Sequence, residues 1–217
     1  NKGGGFRRWY GHNDIIIRWH NNGKEVKEYK GSGNVNDKFF YDSCLSWNLV
    51  STAPFCCRVV EEGNVMGDAG PICLINKSDV NYNYLLGYLN SNTFNKFIAI
   101  LNPTMNYPPG IVGKVPLIID KIKKEELINN YVNKNVIISK NDWAEHETSW
   151  GFEKSPLLSN KVDGLIESAY ESYKNGVNER FERLKENEEE LNRIFIEIYG
   201  LEDELTPEVS DRDITVA

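Results

Sequence analysis

LIESAYESYKNGVNERFERLKENEEELNRIFIEIYG, residues 165–200, is the stretch on which the fold turns. Leu165, Ala169, Tyr173, Val177, Phe181, Leu184, Leu191, Phe195 and Ile198 recur at three- and four-residue steps, flanked mostly by charge, and Gly200 closes the last turn. The spacing predicts a long amphipathic helix, or a helical hairpin broken near Gly176. Such a stripe is met either by plain packing against the preceding part of the chain or by a coiled-coil-like partner.

Working towards the N-terminus, the Lys- and Glu-rich run 121–134 predicts a helix, and 139–162 reads as an irregular connector. Tyr84, Leu85, Tyr88 and Leu89, then Phe94, Phe97, Ile98 and Leu101, give two short helices parted by Asn90-Ser91-Asn92 and stopped by Pro103. NYPPGIVGKVPLII, 106–119, reads as a loop entering a strand at 115–119, because Pro108, Pro109 and Pro116 disfavour regular structure before it. In the block 44–75, LSWNLVSTAPFCCRVV and GPICLIN are short apolar strands separated by Glu62-Gly63-Asn64 and Gly67-Asp68-Ala69-Gly70-Pro71. FRRWYGHNDIIIRWHNNGKEVKEYK, 6–30, reads as a hairpin: Ile15 to Trp19 as one strand, a turn at Asn21-Asn22-Gly23, then a polar strand. The expectation is an α+β chain with a mixed, β-rich region at 1–120, a connector at 121–162 and an amphipathic helical segment at 163–217.

With 217 residues, 40% hydrophobic and 12% aromatic, the chain suffices for one sizeable core or two small ones, which excludes disorder throughout. No apolar stretch approaches the roughly 20 residues of a membrane span, and the Gly-rich start lacks the apolar centre of a signal peptide. A cytoplasmic protein is expected. The start at Asn1 and the apolar end Ile214-Thr215-Val216-Ala217 suggest a piece of something larger. Cys44, Cys56, Cys57 and Cys73 show no CxxC spacing, so buried thiols are expected rather than zinc ligands shared with His12, His20 or His146.

The net charge of -7 is unevenly spread. Residues 1–120 hold 12 Lys and Arg against 10 Asp and Glu, whereas 121–217 hold 13 against 22. Within the first 35 residues, Lys2, Arg7, Arg8, Arg18, Lys24, Lys27 and Lys30 face only three acids. That end of the chain suits phosphates despite the acidic total.

Catalytic signatures are missing. Neither Gly3-Gly4-Gly5 nor Gly31-Ser32-Gly33 follows an apolar strand and opens a helix, as a nucleotide-type cofactor turn requires, so both read as loops. Asn102-Pro103-Thr104-Met105 bears a superficial likeness to the Asn-Pro-Pro-aromatic element that holds a flipped adenine, but lacks its second proline and its aromatic. HExxH, GxSxG and P-loop motifs are absent, His146-Glu147 is a lone pair, and Glu61-Glu62 reads as a solvated turn. What remains suits the reading of DNA: Arg7, Arg8, Trp9, Tyr10, His12, Arg18, Lys24, Lys27 and Lys30, with Arg58 in the strand block. Arginine takes guanine bidentately and lysine holds phosphate, while Asn34, Asn36 and Asn48 address adenine; Trp9 and Trp19 also fit a core.

ENEEELNRIFIEIYGLEDELTPEVSDRDITV at 186–216 and DWAEHETSWGF at 142–152 closely resemble segments of the PglX family, the adenine-specific DNA methyltransferases of BREX phage-defence systems. FRRWYGHNDIIIRWHNNGKEVKEYK is similar to the start of that family's recognition region. LLGYLNSNTF and LNPTMNYPPGIVGKVPLI look like the helix-loop-strand element shared by many target-recognition domains. The resemblance implies a parent enzyme whose separate Rossmann-like domain binds S-adenosylmethionine and methylates adenine N6. On that reading 1–120 is a target-recognition domain for double-stranded DNA, this chain holds no cofactor of its own, and its partners are the catalytic domain of the same polypeptide and other defence-system proteins. Two rivals remain: the recognition domain of a fused type II restriction-modification enzyme, and a scaffold whose acidic helices bind defence proteins.

Overall fold

A computed structural model describes residues 2–33, 37–74, 80–119, 124–161 and 163–216. Among these, a small antiparallel sheet accompanies seven helices, as the α+β expectation required. Strand β1 (Cys44–Trp47) is central, with β2 (Cys57–Val60) on one side and β3 (Ile72–Cys73) on the other. Cys44 pairs with Val60 and Trp47 with Cys57 across β1 and β2. Trp9 extends the far edge of β2: its N–H donates to Cys57 O at 3.0 Å and its carbonyl accepts from Val59 N at 2.9 Å.

The helical pair read from apolar spacing is present as α2 (Tyr82–Leu89) and α3 (Asn92–Leu101), each with a side-chain cap. Asn81 accepts from Asn83 N and Tyr84 N, and Ser91 from Phe94 N. Between the helices, Asn90 acts as a surrogate strand residue, accepting from Cys57 N at 2.8 Å and donating to Cys57 O at 2.9 Å. Asn95 treats Phe55 in the same way. Two amides thereby satisfy backbone groups on the segment leading into the sheet and tie the helices to it.

The final segment is one continuous helix, α7 (Ile166–Tyr199), which runs through Gly176 without a break and ends at Gly200 with φ 63°. Its stripe meets α2 and α5 (Glu125–Ala144). Gly87 of α2 allows the close approach, since a Cβ there would lie 3.0 Å from Val132 and 3.4 Å from Phe195. Phe195 touches Tyr84 and Tyr88 edge to face or tilted, and Tyr199 stacks on Tyr88 with ring centroids 5.4 Å apart. One cluster of buried apolar side chains draws on Trp9, Leu45, Phe55, Ile128, Leu184 and Val216 together. Beyond Gly200 the chain returns along α7, a 3-10 turn at Asp211–Asp213 leads to Ile214, and Thr215 Oγ1 accepts from Arg8 N at 3.3 Å.

Three expectations are corrected. The hairpin at 6–30 does not form: residues 11–19 are irregular, and α1 (His20–Glu28) follows. The turn chemistry holds, because Asn21, Asn22 and Gly23 all take left-handed φ of 50°, 56° and 70°, but the residues after them then coil right-handedly. No strand lies at 115–119; Pro109–Val112 forms a short α4, and tyrosines hold the extended chain after it. Tyr88 and Tyr199 donate to Pro116 O at 2.7 and 2.8 Å, and Tyr84 donates to Ile118 O at 3.0 Å. Helix α5 continues to Ala144 where a connector was expected, burying Ser139 and Asp142, and Pro156–Ser159 forms a further short helix, α6.

Candidate nucleic-acid interface

The basic residues of the first 35 positions separate into an inward set and an outward set. Arg7 and Arg8 belong to the first. Arg7 lies 4.7 Å over the Trp143 ring, donates to Asp142 Oδ2 at 2.7 Å and Ser139 O at 3.3 Å on α5, and reaches Tyr10 O at 2.8 Å. Arg8 is buried and paired with Glu188 of α7, whose other oxygen accepts from Trp9 Nε1 at 2.6 Å. Burial pushes the Glu188 carboxyl upward, against the opposing pull of Arg8 and Trp9. Tyr10 donates to Glu61 at 2.9 Å, and Lys140 of α5 pairs with the same carboxylate. The segment Arg7 to Tyr10 therefore ties the sheet edge to two helices, and both of its arginines meet buried acids rather than standing on the surface.

Arg58 is wholly buried, donating to Asn48 Oδ1 at 3.2 Å and Lys2 O at 2.6 Å. Asn48 in turn holds the glycine run, accepting from Gly4 N at 3.1 Å and donating to Gly4 O at 2.8 Å. His12 Nε2 sits 3.0 Å from Gly5 O, and burial, reinforced by Arg58, lowers its pKa to about 4. Nothing in this arrangement leaves Arg58 or Asn48 an edge to offer a base.

Arg18, Lys24, Lys27 and Lys30 form the outward set, all exposed on or beside α1. Their ion pairs are of the exposed kind: Arg18 with Glu25 at 3.0 Å, Lys24 with Glu28 at 3.8 Å, and Lys27 with Asp37. Pairs so exposed contribute at most about 1 kcal/mol and exchange readily for a phosphate. The platform beneath them is built. The Trp19 ring lies on Gly23, where a Cβ would come within 2.6 Å, and packs on Phe40 with centroids 5.4 Å apart. Ile15, Ile16 and Ile17 precede it in the open, at 57%, 77% and 47% exposure. Asn34 and Asn36 lie outside the described residues. Beside the platform, Phe39, Phe40, Leu49, Met66 and Ile72 line an open cleft of about 500 Å³.

The sequence reading missed Asp142 and Glu188, the acids that take up Arg7 and Arg8. Glu188 carried a signal, since it stands at i+4 from Leu184 and i-3 from Leu191, on the apolar stripe where a lone acid needs a buried partner. Asp142 carried none. Among the described residues, no group of three or more His, Cys, Asp or Glu side chains could hold a metal ion. Gly31-Ser32-Gly33 leaves α1 by a turn, with Ser32 N donating to Tyr29 O at 2.9 Å. Asn102 spends its amide on its own loop, donating to Asn106 O at 2.7 Å. No described helix is long and apolar enough to cross a membrane.

No protein-family model matches the chain. It is 35% identical over 228 residues, all of its length, to the adenine-specific methyltransferase PglX of Lacticaseibacillus casei (strain Zhang), covering 19% of that protein. It is 32% identical over 206 residues, 94% of its length, to the adenine-specific methyltransferase BrxX of Escherichia coli O9:H4 (strain HS), covering 16% of it. The chain thus spans less than a fifth of either curated relative.

Proposed function

From the premise that this chain is homologous to a part of the adenine-specific methyltransferases PglX and BrxX, we propose that it is the DNA-reading part of a site-specific N6-adenine DNA methyltransferase of a phage-defence system of the BREX type. The observation that carries the reading is the division of the basic residues. Arg7, Arg8, Trp9, Tyr10 and Arg58 are turned into the fold and held there, while Arg18, Lys24, Lys27 and Lys30 stand exposed on or beside α1. In this reading 1–120 holds the duplex, 121–162 connects, and 163–217 braces the reader. Lys24, Lys27 and Lys30 contact phosphates, Arg18 reaches a phosphate or a guanine edge, and the adenine turns out of the stack into a catalytic domain elsewhere in the polypeptide, where S-adenosylmethionine supplies the methyl group. Such an enzyme works in the cytoplasm, where the DNA is.

The test is reversal of Arg18, Lys24, Lys27 and Lys30 to Glu in the whole enzyme, followed by DNA titrations across salt concentrations. Binding should weaken and the log-log salt slope should shrink by roughly one unit for each phosphate no longer held. Single replacement of Arg18 should change the set of methylated sites if it reads a base. Unchanged affinity and unchanged methylation in the folded quadruple variant would sink the proposal.

A further inference from the structure

The surface made by the end of α3 and the loop after it differs from the rest of the chain in charge. Residues 43–60 and 80–119 contain no Asp or Glu, in a sequence that holds 32 of them. Their charged side chains are Arg58, which is buried, and Lys96 and Lys114, which are exposed and enter no ion pair among the described residues. Lys96 stands one turn before Ile100 on α3, and Lys114 follows α4, which packs on α3. Between these elements and the segment after β1, Ile100 is 68% exposed, Val50 63%, Met105 57% and Leu101 47%. The acidic C-terminal segment meets α3 at its opposite end, where Asn92 donates to Thr206 O at 3.1 Å, about 12 Å along the axis from Ile100.

The loop that carries Met105 is held by its own bonds. Asn102 Nδ2 donates to Asn106 O at 2.7 Å, Thr104 Oγ1 donates to Asn102 Oδ1 at 2.9 Å, and Asn106 N donates to Thr104 Oγ1 at 3.3 Å. Met105 O accepts from Ser51 N at 2.9 Å, and Leu49 O accepts from Tyr107 N at 2.7 Å, so Val50 and Met105 ride on two segments fixed to each other. The open cleft beside α1 reaches this surface: Phe40, which packs on Trp19, lines it together with Leu49 and Pro109, and Asp68 is the one carboxylate on its walls.

We propose that Val50, Ile100, Leu101 and Met105 form a second DNA contact, an apolar ridge that enters a groove of the duplex while Lys96 and Lys114 hold phosphates beside it. The inference rests on the reading of the chain as DNA-reading, and adds to it a surface outside the basic set of α1. Cations with no acid to pair with call for an anionic partner, and a second copy of this surface would set lysine against lysine. Apolar side chains have a use in a groove, against thymine methyl groups or pressed onto a base step. The loop is ordered before DNA arrives, so little entropy remains to be lost on contact. The shared cleft makes the ridge and the basic residues of α1 two sides of one surface on which a duplex lies.

The whole enzyme, carrying the photo-reactive residue p-benzoylphenylalanine in place of Met105, provides the test. Irradiation with duplex DNA of random sequence should cross-link the protein to DNA, and excess unlabelled duplex should suppress the product. Lys96→Glu with Lys114→Glu should lower the yield about tenfold or more and reduce the log-log salt slope of binding by roughly two units, one for each phosphate released. Lys96→Gln with Lys114→Gln, which removes charge without adding acid, should act in the same direction to a smaller extent. Cross-links to protein alone, no cross-links, or a salt slope unchanged in both folded double variants would each overturn the assignment. The α1 variant with four Glu replacements is read separately. Binding lost in that variant with no cross-link from position 105 sinks the ridge alone, whereas DNA cross-links and a slope that follows Lys96 and Lys114, with binding indifferent to the α1 variant, sink the assignment of α1 alone.

Discussion

Arg8 and Glu188, 180 positions apart in the chain, form an ion pair inside the core, and Trp9 Nε1 takes the second carboxylate oxygen at 2.6 Å. Removing one member leaves the other buried and unpaired, which typically costs about 3–5 kcal/mol, whereas replacing both by apolar groups of similar size is close to neutral. Glu188→Ala should therefore lower the urea midpoint sharply, and the double replacement Arg8→Met with Glu188→Met should restore most of it. Equal damage in the single and double variants would show that the pair is not what holds the segment. Loss of DNA binding in an Arg8 variant would report unfolding.

Leu184 sits at the middle of the stripe and is fully buried. Leu184→Asp places a carboxylate on the fully buried face of α7 and should cost on the order of several kcal/mol, seen as a large fall in melting temperature. An unchanged melting temperature would mean that the stripe is not covered in solution.

His12 gives the chain a pH dependence. Its pKa falls from 6.5 to about 4 on folding, through burial first and the charge of Arg58 next. A lowered folded pKa means that the unfolded chain takes the proton first, so the neutral ring's contribution is whole above pH 6.5 and is lost as pH falls towards 4. Allowing for partial exposure, the loss is about 2 kcal/mol. Denaturant titrations at pH 7.5 and pH 5 should differ by about that amount in the natural sequence and by clearly less in His12→Gln.

The glycine turn after α1 offers no strand-to-helix cradle, and the amide of Asn102 is taken by its own loop. Calorimetry of the isolated 217-residue chain with S-adenosylmethionine should accordingly show no heat of binding, and methyl transfer to DNA should be absent. Stoichiometric binding at micromolar concentrations would contradict this and point to Gly31-Ser32-Gly33.

Where local spacing and local caps decide the structure, the sequence was enough. Tyr84, Tyr88, Phe94 and Ile98 give α2 and α3 their buried faces, Asn81 and Ser91 start them, and the strands at 44–47 and 57–60 follow from short apolar runs between turns. The failures come from long-range partners. Ile15 to Trp19 alternate like a strand but find no neighbour to pair with, and the Lys and Glu residues after Gly23 favour a helix once the turn is made. Arg7, Arg8 and Arg58 look like surface cations because Asp142, Glu188 and Asn48 cannot be matched to them by counting along the chain. Burial of Asp142 in turn depends on α5 continuing past Ser139, where apolar periodicity fades and packing against α7 takes over.

The hydrogen bond from Arg8 N to Thr215 Oγ1 brings together positions 207 apart in sequence, so the residues that follow the long helix, with Val209, Ile214 and Val216 in the core, close over the segment that edges β2 and are structural rather than a tail.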